Sequence, residues 1–247
     1  MLFDDDVVLL AGATGSVGGA TLHVLVAEGA RVVLISRARA NAERAVESLV
    51  PTAQRSRVAI IEADLRDAAS AQHAVDAAVE RHGRLDAVVS LAGGSVFLPL
   101  VDSTVVDLEE NLALNLVANY NLFLPALRAM LAQPIADGAA SRGRMVAVSA
   151  GSSKDPQPRF GLFGASKAGL NVLMQAIARE HKADGIVANA VVLGGVATER
   201  ARDYLSPDDF AAAAAPDEVA RVLAFLASAG TSGINGALVD LNAREVD

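Results

Sequence analysis

Short runs of β-branched and aliphatic residues alternate with longer helical patterns along the whole chain. The strand-like runs cover residues 7–11, 31–36, 57–63, 85–92, 143–150, 185–193 and 236–241. The helical stretches cover residues 16–28, 39–49, 67–82, 106–132, 161–183 and 216–228. Because a strand, a helix and a second strand form a right-handed crossover between parallel neighbours, this alternation predicts a parallel sheet with helices on both faces. The predicted fold class is α/β, a doubly wound domain of about seven parallel strands.

The length of 247 residues suits one large domain, and no linker divides residues 1–247. Hydrophobic residues make up 52% of the sequence and aromatic residues only 4%, so Ala, Val, Leu and Ile are expected to build the core. Residues 194–215 show no clear element, yet a Pro-Asp-Glu sequence typical of a helix start follows them. This segment is interpreted as a short lid at the carboxyl edge of the sheet. The alternative is a disordered linker.

Charge and composition exclude several function classes. The net charge of −8 opposes binding to nucleic acid. The absence of cysteine excludes disulfides and thiolate ligands, and no His/carboxylate spacing suggests a metal site. No apolar run approaches 18 residues, and only six residues precede the first strand, so neither a membrane span nor a secretory signal is expected. A cytoplasmic protein is predicted.

A glycine-rich turn joins the first strand to the first helix. Gly12, Gly15 and Gly18 allow a tight turn, a close approach to a pyrophosphate and packing of helix against strand, while the helix start presents free N–H groups to the anion. This context predicts dinucleotide binding. The alternative is a tight turn with a structural role only. The residues assigned to the cofactor here are Gly12, Thr14, Gly15, Ser16, Val17 and Gly18.

The end of the second strand bears on which dinucleotide is bound. An acidic residue that binds the ribose hydroxyls is expected there, but the sequence has Ser36, followed by Arg37 and Arg39. Without the acid a 2′-phosphate is not repelled, and a guanidinium can bind it, so NADP(H) is favoured over NAD(H). The alternative is that both arginines are ordinary solvated residues. Asp64 is a candidate partner of the adenine amino group, with helix capping as its competing role, although Asp67 is better placed to cap.

Several stretches in order resemble the short-chain dehydrogenase/reductase family, from about residue 7 to residue 242. The stretch "AGATGSVGG" resembles the cofactor turn, with Ser16 in place of the usual middle glycine. "EADLRD" resembles the adenine-side motif, and "SLAGG" resembles the stretch after the fourth strand, with Leu91 replacing an asparagine. "NLALNLVAN", "ASKAGL" and "VANAVVLGGVAT" resemble the active-site helices and the nicotinamide loop, with Leu193 replacing a proline. The final stretch, "DEVARVLAFLASAGTSGINGALVDLN", resembles the closing helix and strand.

The resemblance implies a single Rossmann domain and adds further cofactor contacts. These are Leu65, Ala92, Gly93, Lys167, Gly194, Val196 and Thr198. It also implies a homodimer or homotetramer that packs through the helices at 106–132 and 161–183, whose apolar residues lie on more than one face. The other expected partner is a small-molecule substrate.

The family chemistry uses a serine, a tyrosine, a lysine and a helix asparagine. In that scheme the tyrosine exchanges the proton of the substrate oxygen, the lysine lowers the pKa of the tyrosine and holds the ribose, the serine orients the carbonyl, and the asparagine anchors a water. By position, Lys167 and Asn115 match the lysine and the asparagine. Phe163 stands at the tyrosine position, four residues before Lys167 on the same helical face, and Ala150 stands at the serine position. Two of the four groups are therefore expected to be absent.

Two residues are candidate replacements, and the alternative is that water or the substrate supplies the proton. Ser152 follows the fifth strand in a Pro-rich loop that can bring its hydroxyl over the nicotinamide, although turn formation is the competing role. Tyr204 lies in the expected lid and is a candidate proton donor. The other tyrosine, Tyr120, is interpreted as a packing or interface residue.

Two functions remain open from the sequence. The favoured one is an NADP(H)-dependent oxidoreductase with an altered active site, which transfers hydride to or from a small carbonyl, alcohol, imine or activated alkene. The alternative is a catalytically inactive NAD(P)-binding subunit or sensor that uses the same fold. A different reaction on the same scaffold is a third, weaker alternative, because a fold alone does not determine chemistry.

Overall fold

The strands form one parallel sheet, as the alternation predicts. The computed structural model describes residues 1–94, 96–135, 140–203 and 205–241. The strands are β1 (Val7–Ala11), β2 (Arg31–Ser36), β3 (Val58–Glu62), β4 (Ala87–Ser90), β5 (Gly143–Ala150), β6 (Ile186–Leu193) and β7 (Leu238–Leu241). Their order across the sheet is β3-β2-β1-β4-β5-β6-β7, and every neighbouring pair is parallel. The chain order reverses between β1 and β4, which is the point where doubly wound sheets bind ligands.

The helices cover both faces of the sheet. They are α1 (Ser16–Ala27), α2 (Arg39–Leu49), α3 (Ala68–His82), α4 (Val105–Leu112), α5 (Ala118–Ala132), α6 (Gly161–Glu180), α7 (Pro207–Ala212) and α8 (Pro216–Ala227). The single helix expected over 106–132 is instead two helices joined by a π-helical turn at Ala113–Val117. Among the described residues, no helix combines the length and the apolar character that crossing a membrane requires.

The two faces of the sheet belong to separate hydrophobic cores. Along β1, Leu9 faces the layer of α3, α5 and α6, where it packs in one core with Phe123 and Leu170. Its neighbour Leu10 faces the other layer, where it packs in one core with Leu22 of α1 and Leu223 of α8. All five of these side chains are fully buried. Burial of each such side chain stabilises the fold by about 1.5–3 kcal/mol, so both helical layers contribute to holding the sheet.

Local signals at the helix ends agree with the sequence. The Asp67 carboxylate accepts a 2.6 Å hydrogen bond from the Ser70 N–H and caps α3, which confirms the capping role expected for Asp67. Helix α8 begins at Pro216, and the Glu218 carboxylate accepts a hydrogen bond from the Ala215 N–H at 2.9 Å. Helix α3 ends at Gly83, whose φ of +74° is the left-handed conformation that glycine adopts most readily.

The segment at 194–215 is folded in its described part. Val196 forms a parallel bridge with Ala214, which returns the segment to its starting point at the carboxyl edge. Between these two residues lie a 3₁₀ helix at Glu199–Asp203 and the helix α7, which the sequence analysis did not predict. The guanidinium of Arg202 stacks on the Phe210 ring at 4.1 Å. The role of this segment as a lid remains a prediction.

Candidate functional site

A cleft of about 990 Å³ opens at the carboxyl ends of β4, β5 and β6. Ligands of open parallel sheets bind outside the carboxyl ends of the strands. The loop after β4, the loop after β5, the helix α6 and the segment after β6 all contribute walls to this cleft. The lining residues used below are Leu91, Gly93, Gly94, Phe97, Asn115, Ser149, Ala150, Ser152, Phe160, Phe163, Lys167, Leu193, Gly194, Val196 and Thr198.

The glycine turn builds an open helix terminus at this edge. Gly12 has a φ of +89°, and a Cβ on it would lie 2.8 Å from the Leu91 carbonyl carbon. A Cβ on Gly18 would lie 2.1 Å from the Gly12 carbonyl oxygen, so α1 packs against the turn with no room for a side chain. A Cβ on Gly15, in contrast, would meet nothing within 4 Å.

The first turn of α1 keeps its N–H groups available. Thr14, Gly15 and Ser16 are exposed, and no side chain caps the helix at Gly15. The Val17 carbonyl accepts a hydrogen bond from the Thr21 hydroxyl at 2.8 Å, so the side chain of Thr21 bonds within α1. Free N–H groups at a helix start attract an anion such as a pyrophosphate.

The two arginines after β2 differ in their contacts. The Arg39 N–H donates to the Glu62 carboxylate at 2.8 Å, and its guanidinium contacts the Ile60 carbonyl at 3.2 Å and Glu43 at 3.8 Å. The exposed Arg37 guanidinium makes no hydrogen bond or ion pair with the described residues. The Ser36 hydroxyl lies within its own turn, where it donates to the Ala38 carbonyl at 3.0 Å.

Asp64 is engaged by its neighbour. Its carboxylate pairs with the Arg66 guanidinium at 2.6 Å, and the side-chain hydrogen bond from Arg66 lowers the pKa of Asp64 to about 2. The predicted adenine contact of Asp64 therefore has to compete with this ion pair. The side chain of Leu65 is buried in the core, so only its backbone is available to a cofactor.

A ladder of buried asparagines holds the loop after β4. Asn115 lies in the π-helical turn, donates to the carbonyls of Gly94 at 2.8 Å and Asn111 at 3.0 Å, and accepts from the Gly94 N–H at 3.2 Å. Asn119 donates to the Ala92 carbonyl at 3.1 Å. The sequence analysis missed Asn111 and Asn119. Their spacing of four residues on either side of Asn115 was the available signal, because such residues share a helical face.

Gly93 brings the asparagine ladder and Lys167 together. A Cβ on Gly93 would lie 2.7 Å from the Asn115 Oδ1 atom and 3.2 Å from the Lys167 Nζ atom. The missing side chain therefore lets Asn115, from the π-helical turn, and Lys167, from α6, meet at the exposed loop.

Lys167 is a buried ammonium group. Its residue is 5% exposed, and its Nζ donates to the Val148 carbonyl at 2.8 Å. Within the described part of the chain no carboxylate forms an ion pair with it. Because burial disfavours the charged form, the pKa of Lys167 falls from the usual 10.5 to about 8. Phe163 lies one turn earlier on α6, with its ring centroid 5.9 Å from Nζ.

The serines at the end of β5 and in the turn that follows place their hydroxyls away from open solvent. Ser149 is buried, and its hydroxyl makes only long contacts, 3.4 Å to the Ser153 hydroxyl and 3.5 Å to the Lys167 carbonyl. Ser153 donates to the Ala150 carbonyl at 2.6 Å. The Ser152 hydroxyl is buried and has no hydrogen-bond partner among the described residues. Ser152 therefore needs a rotamer change before its hydroxyl can orient a substrate.

Three phenylalanines form the outer wall of the cleft. Phe97 stacks on Phe160 at a centroid distance of 4.2 Å and meets Phe163 edge to face at 5.5 Å. Phe160 and Phe163 are 6.5 Å apart. The loop after β4, the loop before α6 and α6 itself each contribute one ring, so the sequence analysis did not identify this cluster.

The segment after β6 supplies the remaining predicted contacts. The Gly194 N–H donates to the Leu241 carbonyl at 3.0 Å, and the Thr198 N–H donates to the Val196 carbonyl at 2.8 Å. The Thr198 hydroxyl accepts from the Ala201 N–H at 3.2 Å. Tyr204 lies outside the described residues. In the described chain no group of His, Asp and Glu side chains is arranged to hold a metal ion.

Comparisons with known proteins define the class. The short chain dehydrogenase family model matches residues 6–208. A γ-butyrolactone 1′-reductase of the A-factor type from Streptomyces virginiae is 29% identical, over 95% of this chain and 93% of the relative. A putative ketoacyl reductase of monensin polyketide synthase, also from Streptomyces virginiae, is 31% identical over 79% of this chain and 72% of its own.

The fold leads to the same class. The solved structure of a mutant short-chain dehydrogenase/reductase from Serratia marcescens is 25% identical, covers 98% of both chains and superposes with a TM-score of 0.86. The chain belongs to the short-chain dehydrogenase/reductase family. It is an oxidoreductase of that type, and the cofactor class of the family is a nicotinamide dinucleotide.

Proposed function

We propose that this chain is an NADP(H)-dependent oxidoreductase with an altered active site. Its reaction is hydride transfer to or from a small carbonyl, alcohol, imine or activated alkene. The proposal rests on one observation, which is that the open N-terminus of α1 and the buried Lys167 lie at the same edge of the sheet. The open terminus of α1 follows Gly12, which lies against Leu91 in the cleft wall, and the buried Lys167 lines the same cleft.

The residues at this edge fit a dinucleotide. The space beside Gly15, where a Cβ would meet nothing, leaves the first turn of α1 open to a pyrophosphate. Gly93 is exposed and carries no side chain, so its backbone is available to a ligand beside Asn115 and Lys167. A bound nicotinamide would supply or accept the hydride. The chain's own residues would hold the two phosphates, the ribose and the substrate oxygen.

The preference for NADP(H) rests on Arg37. The Arg39 guanidinium already contacts the Ile60 carbonyl at 3.2 Å and Glu43 at 3.8 Å. The exposed Arg37 guanidinium makes no hydrogen bond or ion pair with the described residues, and its charge interaction with Asp64 helps to lower the pKa of Asp64. A guanidinium without a carboxylate partner can bind a 2′-phosphate with two parallel hydrogen bonds. Glu62 is occupied by the Arg39 backbone and is therefore a weak competitor for the ribose hydroxyls.

The altered active site rests on Phe163 and Ala150. By resemblance these two residues stand where the family places its tyrosine and its serine. Both line the cleft, and neither carries a hydroxyl. Asn115 and Lys167, at the other two positions, contact the same loop after β4. Cofactor binding and proton transfer use different contacts. The cofactor can therefore still bind when the residues that transfer the proton are replaced.

The phenylalanine wall indicates the character of the substrate. Phe97, Phe160 and Phe163 present apolar rings beside the polar group of Lys167. Such a wall favours a carbonyl or related acceptor that carries an aromatic or alkyl group. The folded segment 194–215 is proposed to cover this end of the cleft as a lid, because Thr198 and Leu205 already line it. Two relatives have names that describe reductases, which favours the reductive direction.

The proposed assembly is a homodimer or homotetramer. Exposed apolar side chains cluster on α4, α5 and α6 and on the turn between α4 and α5, although polar side chains are expected on a solvated face. These side chains are Val105, Val106, Val117, Tyr120 and Val172. Sedimentation analysis of the wild type and of Tyr120→Asp tests this proposal. A monomeric wild type would contradict it.

The function is tested by titration and turnover. We expect calorimetry to show tighter binding of NADPH than of NADH, and NADPH oxidation with at least one acceptor from a panel of aromatic and alkyl carbonyls. Tight binding of NADPH without turnover would instead favour an inactive NAD(P)-binding subunit. The Tyr204→Phe variant is expected to retain turnover, because the proposal does not require this residue as the proton donor.

A further inference from the structure

The proposed reduction of a carbonyl requires a proton for the substrate oxygen. The described residues that line the cleft include few groups that can donate one. The Lys154 ammonium is held by both oxygens of the Asp240 carboxylate, at 2.7 and 2.8 Å. Asp155 is exposed and accepts a hydrogen bond from Gln157, and Asp209 is exposed and accepts one from Ser206. These charged groups all lie at the solvent side of the cleft. The buried titratable group among the described lining residues is Lys167.

Lys167 has more N–H donors than acceptors among the described residues. An ammonium group carries three N–H bonds. One of them donates to the Val148 carbonyl, and the other two have no acceptor among the described residues. A buried N–H without an acceptor costs free energy, so this arrangement favours a ligand that supplies acceptors. The resemblance assigns Lys167 to the nicotinamide ribose. Two N–H bonds are therefore available for the ribose and for a substrate oxygen.

We propose that Lys167 is the direct proton donor to the substrate oxygen, in place of a phenol. This inference rests on the function proposed above. In reduction of a carbonyl, the carbon would accept hydride from a bound reduced nicotinamide, and the C=O π electrons would form a new O–H bond with a proton from Nζ. The substrate C–H and O–H bonds would form, while the C=O π bond, one N–H bond of Lys167 and the C–H bond that held the hydride would break. The carbonyl would be reduced and the nicotinamide oxidised, and Lys167 would become a neutral amine that regains a proton from solvent.

The surroundings of Lys167 suit this role. Phe163 packs an apolar ring 5.9 Å from Nζ, which excludes water from one side of the ammonium group. Burial lowers the pKa of Lys167 to about 8, close to the pH at which a general acid works best. Because no described carboxylate lies within ion-pair distance of Lys167, the proton can leave without separating a salt bridge.

The chain permits a direct test because it contains no cysteine. A Lys167→Cys variant therefore has a single thiol. Alkylation with bromoethylamine in denaturant, followed by refolding, converts this thiol to S-aminoethylcysteine, a lysine analogue with a more acidic ammonium. The matched control is Lys154→Cys treated in the same way, because Lys154 lines the same cleft but is exposed and bound to Asp240.

The pH dependence of the reductase rate is the first readout. In the wild type we expect the single-turnover rate to fall about tenfold between pH 7 and pH 9, because a group with a pKa near 8 loses its proton over this range. The alkylated Lys167→Cys variant is expected to lose its rate at lower pH. The alkylated Lys154→Cys variant is expected to follow the wild type. The proposal would be overturned if the rate of the alkylated Lys167→Cys variant fell over the same pH range as the rate of the wild type.

A second readout does not depend on turnover. Carbon-13-labelled bromoethylamine places one NMR probe at residue 167 or at residue 154. We expect the ammonium at 167 to titrate at a lower pH than the one at 154, and NADPH binding to shift the signal at 167 more strongly. Equal titration at both positions would overturn the proposal. Failure of the wild type to oxidise NADPH or NADH with any acceptor would instead overturn the proposed function itself, and the proton-donor role with it.

Discussion

Buried charged side chains differ in their ion pairing between the two edges of the sheet, which are the amino edge, where the strands begin, and the carboxyl edge, where they end. At the amino edge, the buried Asp86 carboxylate pairs with Arg84 at 2.5 Å, and the buried Arg144 guanidinium pairs with Asp6 at 2.9 Å. At the carboxyl edge, Lys167 is as deeply buried as Arg144 but has no carboxylate partner in the described chain. The same fold therefore contains paired charges at one edge and an unpaired charge at the other.

Under the proposed function, this difference distinguishes charges with a structural role from a charge with a functional role. Paired ions offset the cost of leaving water by their mutual attraction. Lys167 has no such compensation, and the fall of its pKa from 10.5 to about 8 corresponds to about 3 kcal/mol of lost stability at neutral pH. A strongly perturbed group in a cleft is a candidate functional residue. Under the proposed function, the carboxyl edge is where a charge that lowers stability would take part in the chemistry.

The sharpest test of the comparison is Lys167→Met. We expect the reductase rate to fall about 10²–10⁴-fold, which is the contribution of a positioned general acid. The free energy of unfolding is expected to rise by about 1–3 kcal/mol at pH 7, because a penalised charge is removed. Since the pKa of Lys167 is lower in the folded state than in the unfolded state, this gain is complete below about pH 8 and disappears as the pH rises towards 10.5.

Urea denaturation at pH 7 and pH 10 measures this effect. Lys154→Met is the control, because that exposed pair contributes about 0–1 kcal/mol. A Lys167→Met protein that is less stable than the wild type at pH 7 would contradict the comparison, since it would give Lys167 a structural role.

At the opposite edge, Arg144→Met is expected to destabilise the fold by about 3–5 kcal/mol. Its removal leaves Asp6 partly buried without its ion-pair partner, and burial already raises the pKa of Asp6. The affinity of the folded protein for NADPH is expected to stay within about twofold of the wild type, because Arg144 is at the amino edge. Denaturation curves and calorimetry give the two quantities. A large loss of NADPH affinity in folded protein would show that the edges are coupled.

Gly18→Ala tests the backbone part of the carboxyl edge. A Cβ there would lie 2.1 Å from the Gly12 carbonyl oxygen, so α1 has to move away from the turn. We expect NADPH affinity to fall about 10²-fold, because the anion-binding N–H groups move with the helix. Gly230→Ala is the control, because its Cβ would meet nothing within 4 Å. Unchanged NADPH affinity in Gly18→Ala would argue against a pyrophosphate site at this turn.

The smallest expected effect is that of Arg37→Ala. Affinity for NADPH is expected to fall about tenfold while that for NADH changes little, because the lost contact is a charge-assisted hydrogen bond to the 2′-phosphate. Paired titrations with the two nucleotides measure it. Arg39→Ala serves as the comparison, since the Arg39 guanidinium already contacts the Ile60 carbonyl and Glu43. Equal losses for both nucleotides would remove the basis for an NADP(H) preference.

Periodicity predicted the strands and most helices because each depends on local pattern. The seven predicted strand runs all contain the observed strands, and Asp67 caps α3 as its position indicates. The π-helical turn at Ala113–Val117 was not predictable from a helical period, because it depends on how Asn115 reaches across to Gly94. Helix α7 was missed because its alanine-rich surroundings carry no amphipathic pattern.

The site was predictable only where its residues lie close together in sequence. Phe163 and Lys167 lie one turn apart on α6, as their spacing requires. The hydrogen bond from the Arg39 N–H to the Glu62 carboxylate depends on the register of β2 against β3, which places Ser36 beside Glu62. The phenylalanine wall depends on loops distant in sequence, and the low pKa of Lys167 depends on burial by the whole fold. Such non-local effects are not visible in a single sequence.

The most direct test of the central claim is the transfer of deuterium from NADPH. Protein saturated with NADPH that carries deuterium at the transferable position of the nicotinamide is mixed with an aromatic carbonyl, and the product is analysed by mass spectrometry and NMR. Hydride transfer at the carboxyl edge predicts one deuterium on the former carbonyl carbon, with a rate that falls as the pH rises past about 8. A saturated protein that forms no deuterated product with any acceptor of the panel would contradict the account.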